Sequence, residues 1–267
     1  STFGGHAAWQ SGLRWQPLRN LSFRASFATG YRAPSIAELY QTQTRSLANE
    51  EDPCGNDPSP AIRANCAAHG VPGGSYVQDF FTGYAALSGG NTRLGPERSR
   101  SFNAGADLRW EGAVPGNAGI SFFRTQVKGF VNGAGVLDLI SQCEVENLQA
   151  ACNQITRNAD GSIQRVVATL QNFGRVSVRG LDITLNARTD TAAGRFQGGL
   201  LATYLMRRDK QLFEGSTGIN DAGTLSYDGI DAYAFPHWRG TAHIDWQRGP
   251  WHAARRSASC SPGRRRP

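Results

Sequence analysis

At 267 residues the chain is long enough for one large domain or two small ones. Only 18% of it is charged and 39% apolar, with 32 Gly and 10% aromatics, a balance that suits strands and loops better than a helical bundle. The net charge of +7 resembles a nucleic-acid footprint until it is located. Residues 253–267 hold five Arg and no acid, so without them the excess falls to +2, and no basic stripe remains to argue for nucleic acid. No run of 18 apolar residues occurs, which excludes a transmembrane helix. Residues 1–16 have neither the basic start nor the apolar run of a secretory signal. The one Met is not at position 1, so the chain is expected to begin after a removed segment.

In chain order, the pattern that recurs is alternation of apolar and polar residues. In 3–15, Phe3, Ala7, Trp9, Leu13 and Trp15 oppose His6, Gln10 and Arg14. In 20–28, Leu21, Phe23, Ala25 and Phe27 oppose Ser22, Arg24 and Ser26. Residues 101–111 set Phe102, Ala104, Ala106, Leu108 and Trp110 against Asn103, Asp107 and Arg109. The alternation is weaker in 118–131 and 195–208 and clear again in 181–188, where Leu181, Ile183 and Leu185 oppose Asp182, Thr184 and Asn186. Near the end, Trp238, Ala242, Ile244 and Trp246 oppose Arg239, His243 and Asp245. Gly180 interrupts the alternation between Val178 and Leu181, which predicts a bulge.

Period-2 alternation fits any half-buried antiparallel sheet. Length and loop placement discriminate. These segments run about nine to fourteen residues, longer than a globular strand and suited to a tilted bilayer crossing. Trp15, Trp110 and Trp246 each sit beside a short turn, where an aromatic girdle lies. Short turns at 16–19, 112–117, 189–194 and 248–250 alternate with long connections near 29–99, 132–168 and 209–236. A soluble sandwich has no reason to put every long loop at one end. The predicted fold is therefore all-β: part of an antiparallel up-and-down transmembrane barrel, about seven to eight strands of a larger one, with long outer loops.

Of five Cys, Cys54 and Cys66 share the first long loop, and Cys143 and Cys152 the second. Two loop disulfides are the favoured reading and free thiols the alternative. A zinc site is disfavoured, because His69 is the only His in either loop and no CxxC spacing occurs. Cys260 has no obvious partner. After Ala253 the alternation stops, and 253–267 reads as an aberrant basic tail, disordered or translated out of frame. The barrel portion is placed at 1–252.

Two stretches go further: LSFRASFATGYRAPSIAELYQ at 21–41 and GNTRLGPERSRSFNAGADLRW at 90–110. They resemble the barrel of TonB-dependent outer-membrane receptors, through Gly30 to Ser35, Glu38 and Leu39, then Gly90, Asn91, Leu94, Pro96, Glu97, Ser99 and Ser101. NFGRVSVRGLDITL at 172–185 is a weaker match. The motif residues Arg32, Pro34, Glu38, Asn91, Pro96 and Glu97 read as structural. Pro34 fixes φ and extends Ala33, Ser35 caps a short helical turn through Glu38 and Leu39, and Pro96–Glu97 ends the loop and starts a strand.

The resemblance implies a location in the outer membrane of a Gram-negative bacterium, contact with its lipid, and a complete barrel of about 22 strands. It implies active uptake of a large scarce substrate such as an iron-siderophore, cobalamin or oligosaccharide. The TonB complex would be engaged only through an N-terminal plug that this sequence does not show. The alternative is a passive porin or a surface-binding barrel without TonB coupling. No cofactor, metal or catalytic residue is expected: G-x-S-x-G, H-E-x-x-H and P-loop motifs do not occur, and the five His are dispersed. Substrate-binding residues cannot be named. Tyr76, Phe80, Phe81 and Tyr84 in the first loop could stack on a ligand or pack the loop on itself, and Glu50, Glu51 and Asp52 read as a solvated acidic run.

Overall fold

The structure is a computed structural model and describes residues 6–216, 218–227, 232–261 and 263–265. Phe3 of the first expected strand and Pro262, Arg266 and Pro267 of the tail lie outside the described residues. The elements used below are β1 (Gln10–Leu18), β2 (Leu21–Arg32), α1 (Ile36–Tyr40), β3 (Thr44–Ala48), α2 (Pro60–Ala68), β4 (Tyr84–Ser88), β5 (Glu97–Trp110), β6 (Gly116–Lys128), α3 (Val136–Glu144), α4 (Gln149–Cys152), β7 (Ile155–Arg157), β8 (Ile163–Val167), β9 (Arg175–Thr191), β10 (Gly194–Gln211), β11 (Trp238–Arg248) and β12 (Trp251–Cys260).

Eight long strands form one open antiparallel wall in the order β1-β2-β5-β6-β9-β10-β11-β12. Directly paired residues point to the same side of a sheet, so the register can be read across the wall. One row runs Trp15, Phe23, Ala106, Ile120, Ile183, Ala202, Gly240. The next on that face runs Leu13, Ala25, Ala104, Phe122, Leu181, Tyr204, Trp238. The opposite face carries Arg24, Gly105, Ser121, Asp182, Thr203 and Arg239 in register. There Arg24 ion-pairs with Asp107 and donates to Ser121 Oγ, and the Thr203 hydroxyl donates to Asp182. The wall thus has one apolar and one polar face. Leu13, Trp15, Phe23, Leu108, Ile120, Leu185, Leu200 and Ile244, all on the apolar face, are exposed. An apolar patch of this extent is costly in water and marks a surface meant for lipid or protein.

Aromatics bound this face at both ends. At one end the indole N–H groups of Trp110 and Trp246 donate to the turn carbonyls of Val114 and Ala193. At the other, Tyr204 and Trp238 lie ring to ring at 4.7 Å. Eight residues separate Trp246 from Trp238 along β11, about 27 Å of strand and about 21 Å of height at a tilt of roughly 40°.

The expected turn at 16–19 narrows to Arg19 and Asn20, because β1 begins at Gln10 and runs through Pro17 to pair Leu18 with Leu21. Pro17 lacks an N–H and sits where the register shifts between Trp15 and Leu18. The predicted irregularity at Gly180 is present: the β9–β10 register shifts between Arg179 and Gly180. A Cβ there would lie 2.5 Å from Tyr204 O and 2.7 Å from Phe123. The tail departs from expectation. Residues 251–260 form β12, antiparallel to β11, so this stretch is strand and not a disordered tail. Its register puts Arg255 opposite Ile244, among apolar neighbours.

The packed core lies elsewhere. Among the described residues, the buried apolar side chains belong to the long loops: Tyr84, Leu139, Ile140, Val166, Phe173 and Phe213 lead one cluster, Cys54, Cys66 and Val71 the other. The first two long loops build a four-stranded sheet of their own, β3-β4-β8-β7, in which β4 of the first loop pairs in parallel with β8 of the second. Helices α2 to α4 pack beside it, so the loops form a folded cap over one end of the wall.

Candidate functional site

The cap joins the wall at a junction built from the motif residues. Arg32, the last residue of β2, donates to both carboxylate oxygens of Glu38 (2.9 and 3.1 Å) and from Nε to Glu97 at 2.8 Å. Glu38 is also the third helical residue of α1, where it completes a capping box: Ser35 Oγ accepts from the Glu38 N–H, and the Glu38 carboxylate accepts from the Ser35 N–H at 2.7 Å. These donors, the Arg32 guanidinium first, hold the Glu38 carboxyl down at about 2. Glu97 accepts from Val131 N–H at the mouth of the second loop. Asn91 donates to Leu170 O, and its own N–H to Glu38 O. Pro34 is buried, and Glu97 opens β5. Asn172, from the weaker motif, accepts from Gly95 N–H and donates to the carbonyls of Gly95 and Gly129. The junction therefore clamps both loops to three wall strands.

Deeper in the cap lies a charge cluster that sequence reasoning did not single out. Arg157 of β7 spans Asp52 in the first loop at 2.7 Å and Glu144 of α3 at 2.8 Å. The three side chains are 7%, 0% and 0% exposed. Asp52 further accepts from Tyr76 Oη (2.9 Å) and from Cys54 N–H (3.0 Å). Burial, then the Asp52 charge beside it, pushes the Tyr76 phenol well above its ordinary range. Asp52 is therefore no part of a solvated acidic run; only Glu50 and Glu51 are exposed.

Disulfides close the cap locally, Cys54 to Cys66 and Cys143 to Cys152, as the loop placement predicted. Each sits at a helix: Cys66 in α2, and Cys143 and Cys152 in α3 and α4. His69 lies within 4.8 Å of the second pair's sulfurs and Glu144 within 4.8 Å of the first pair's. Sulfurs bonded to each other offer no thiolate, so neither grouping is a metal set as it stands. Cys260 is a free, exposed thiol.

The loop aromatics divide. Tyr84 is buried in the cap core, its phenol pushed up to about 12 by that burial, and Tyr76 is spent on Asp52. Phe80 and Phe81 are exposed, Phe81 at 99%, as are Leu47 and Val77 of the same loop. On the polar face of the wall, His243 and Asp245 lie 3.7 Å apart, on the one face that their alternation predicts, and His252 from the neighbouring strand approaches Asp245 at 3.8 Å.

The family model for the β-barrel of TonB dependent receptor-like proteins matches residues 1–265. The chain belongs to the TonB-dependent receptor β-barrel family. Solved structures of similar fold include a mutant of the ferric enterobactin receptor PfeA from Pseudomonas aeruginosa in complex with enterobactin (16% identity, TM-score 0.53, covering 92% of this chain and 26% of that one). The siderophore receptor PirA from Acinetobacter baumannii is another (14% identity, TM-score 0.53, 96% and 30%). PirA from Pseudomonas aeruginosa matches with 16% identity, a TM-score of 0.50 and coverage of 97% and 35%. This receptor segment thus spans about a quarter to a third of the length of those chains. Its open wall is part of a barrel. Receptors of this family sit in the outer membrane of Gram-negative bacteria and serve uptake. In that setting the apolar face meets lipid and the polar face the lumen. The family and fold are those of transport receptors rather than enzymes.

Proposed function

We propose that this receptor segment belongs to a TonB-dependent importer of a ferric siderophore, its cap forming part of the outer vestibule through which the ligand enters. One observation carries the reading: every long loop emerges at one end of the wall and two of them fold into a single disulfide-braced cap clamped by the Arg32–Glu38–Glu97 junction. A rigid entrance over a wide barrel suits capture of a large solute, and the ligand class of the similar receptors supports a siderophore. Phe80 and Phe81 are the side chains placed to stack on such a ligand. The motif residues Arg32, Pro34, Glu38, Asn91, Pro96 and Glu97 act as the frame of the entrance and not as ligand contacts. The wall itself continues through β12; Arg255 on its apolar face supports reading the residues beyond 252 as translated out of frame.

The test is growth on a ferric siderophore panel, cobalamin and oligosaccharides of a strain deleted for the full gene carrying this segment, with and without a working TonB. Loss of growth on an iron chelate, reproduced when TonB is disrupted, is the expected result. Uptake that persists without TonB supports the alternative, a passive porin or surface-binding barrel, and overturns the importer reading.

A further inference from the structure

Just past the upper aromatics, the apolar face of the wall turns basic. Phe102 pairs with Arg124, Arg124 with Arg179 and Arg179 with Arg207, so three arginines stand side by side on β6, β9 and β10. The next outward rows add Arg100, paired to Gln126, then Arg98, Lys128 and Arg175, which pair in sequence. Because Phe102 and Phe27 are directly paired members of the apolar face, these cations project from that same face and not into the lumen. Asp209 is the one carboxylate in these rows, and it pairs with Arg207 at 2.7 Å. Among the described residues, Arg98, Arg100, Arg124, Lys128, Arg175 and Arg179 are exposed, and none makes an ion pair.

Like charges set directly opposite on neighbouring strands repel. A wall that lines up Arg124, Arg179 and Arg207, and Lys128 with Arg175, therefore draws its counter-charge from outside the chain. The position says where from. Ten residues of β5 separate Trp110 in the lower girdle from Arg100, about 34 Å of strand and about 26 Å of height at roughly 40° tilt, the upper edge of a membrane-facing band. That edge is on the side of the long loops. Guanidinium groups there match phosphate in charge and in bidentate geometry, and their stems can lie along acyl chain below.

We propose that this patch docks the phosphate groups of a phosphorylated glycolipid in the outer leaflet, held against β5, β6, β9 and β10. The proposal rests on the outer-membrane reading, and its test keeps the two apart. The full-length protein that carries this segment is inserted into nanodiscs of zwitterionic lipid doped with bisphosphorylated lipid A or with the same lipid stripped of phosphate, and retained lipid is read by native mass spectrometry. Wild-type chain should retain the bisphosphorylated form at least about tenfold over the stripped one. Arg98→Gln, Arg100→Gln, Arg124→Gln and Arg179→Gln combined should abolish the preference, while the same four changed to Lys should keep most of it. Circular dichroism and heat-modifiable gel migration report insertion; if the glutamine combination does not insert, each single glutamine change should lower retention stepwise. Equal retention of both lipids, unchanged retention in the glutamine variants, or displacement by millimolar inorganic phosphate overturns the proposal. Failure of the wild-type full-length protein to insert overturns the membrane reading along with it.

Discussion

Replacement of Arg157 by Met removes the only cation that, among the described residues, faces two fully buried carboxylates. Stripping one partner from a buried ionic group costs about 3–5 kcal/mol, because the charges left behind are neither hydrated nor paired. The two carboxylates are left unequal. Asp52 keeps the Tyr76 hydroxyl and the Cys54 N–H. Glu144 keeps nothing comparable: its Oε2 has no partner, and the nearby Cys143 sulfur, bonded to Cys152, has no proton to give. Most of the penalty therefore falls on Glu144. Adding Glu144→Leu to Arg157→Met should return about 2 kcal/mol, since the removed charge no longer has to be buried. The readout is native-state hydrogen exchange of the β8 and α3 amides in detergent micelles, which follows cap opening without unfolding the wall. Cap protection in Arg157→Met should fall by the larger amount and partly recover in the double variant. Equal or greater loss in the double variant would refute this partition of the charge cluster.

Three further outcomes follow from the geometry. Without reductant, alkylation should label one thiol, Cys260; after denaturing reduction it should label five, and a cap lacking Cys143 and Cys152 should lose about 3 kcal/mol of protection. Glu38 has its folded-state carboxyl at about 2 against an ordinary 4.5, so its contribution is complete above 4.5 and disappears as pH falls toward 2. With the side chain 22% exposed, that contribution is about 1 kcal/mol after screening, and Glu38→Gln should match wild type in thermal melts at pH 2 while falling short at pH 7. Gly180→Val forces a side chain against the Tyr204 carbonyl and the Phe123 ring. It should cost about 2–4 kcal/mol and show as reduced heat-modifiable gel migration.

The wall was legible because one periodicity governs it. Leu181, Ile183 and Leu185 alternate with Asp182 and Thr184, and nothing but strand satisfies that pattern with one wet and one dry face. The two disulfides were readable too, each pair sitting within one loop. The cap was not read, although local signals existed. Val136, Leu139, Ile140 and Cys143 recur at helical spacing in α3, and Ser59–Pro60 is an N-cap followed by a first-turn proline. Both lie inside stretches that the strand pattern around them assigns only as long connections. Asp52, Glu144 and Arg157 were beyond reach for a different reason. They lie far apart in sequence, and a lone acid beside Glu50 and Glu51 carries no mark of burial until the parallel pairing of β4 with β8 brings the second loop against the first.

That pairing bears on how the barrel assembles. The two halves of the cap are delivered by chain segments on either side of the β5–β6 hairpin, so it is the closed hairpin, flanked by β9 on β6, that holds them side by side. A slip of one residue in either pairing would turn every side chain to the wrong face and carry Asn172 away from Gly95 and Gly129. The cap then works as a gauge of register: its core and its buried charges lock only over strands that have found their correct partners. Wrongly zipped strands, by contrast, leave two loose loops with apolar residues in water, open to quality-control proteases.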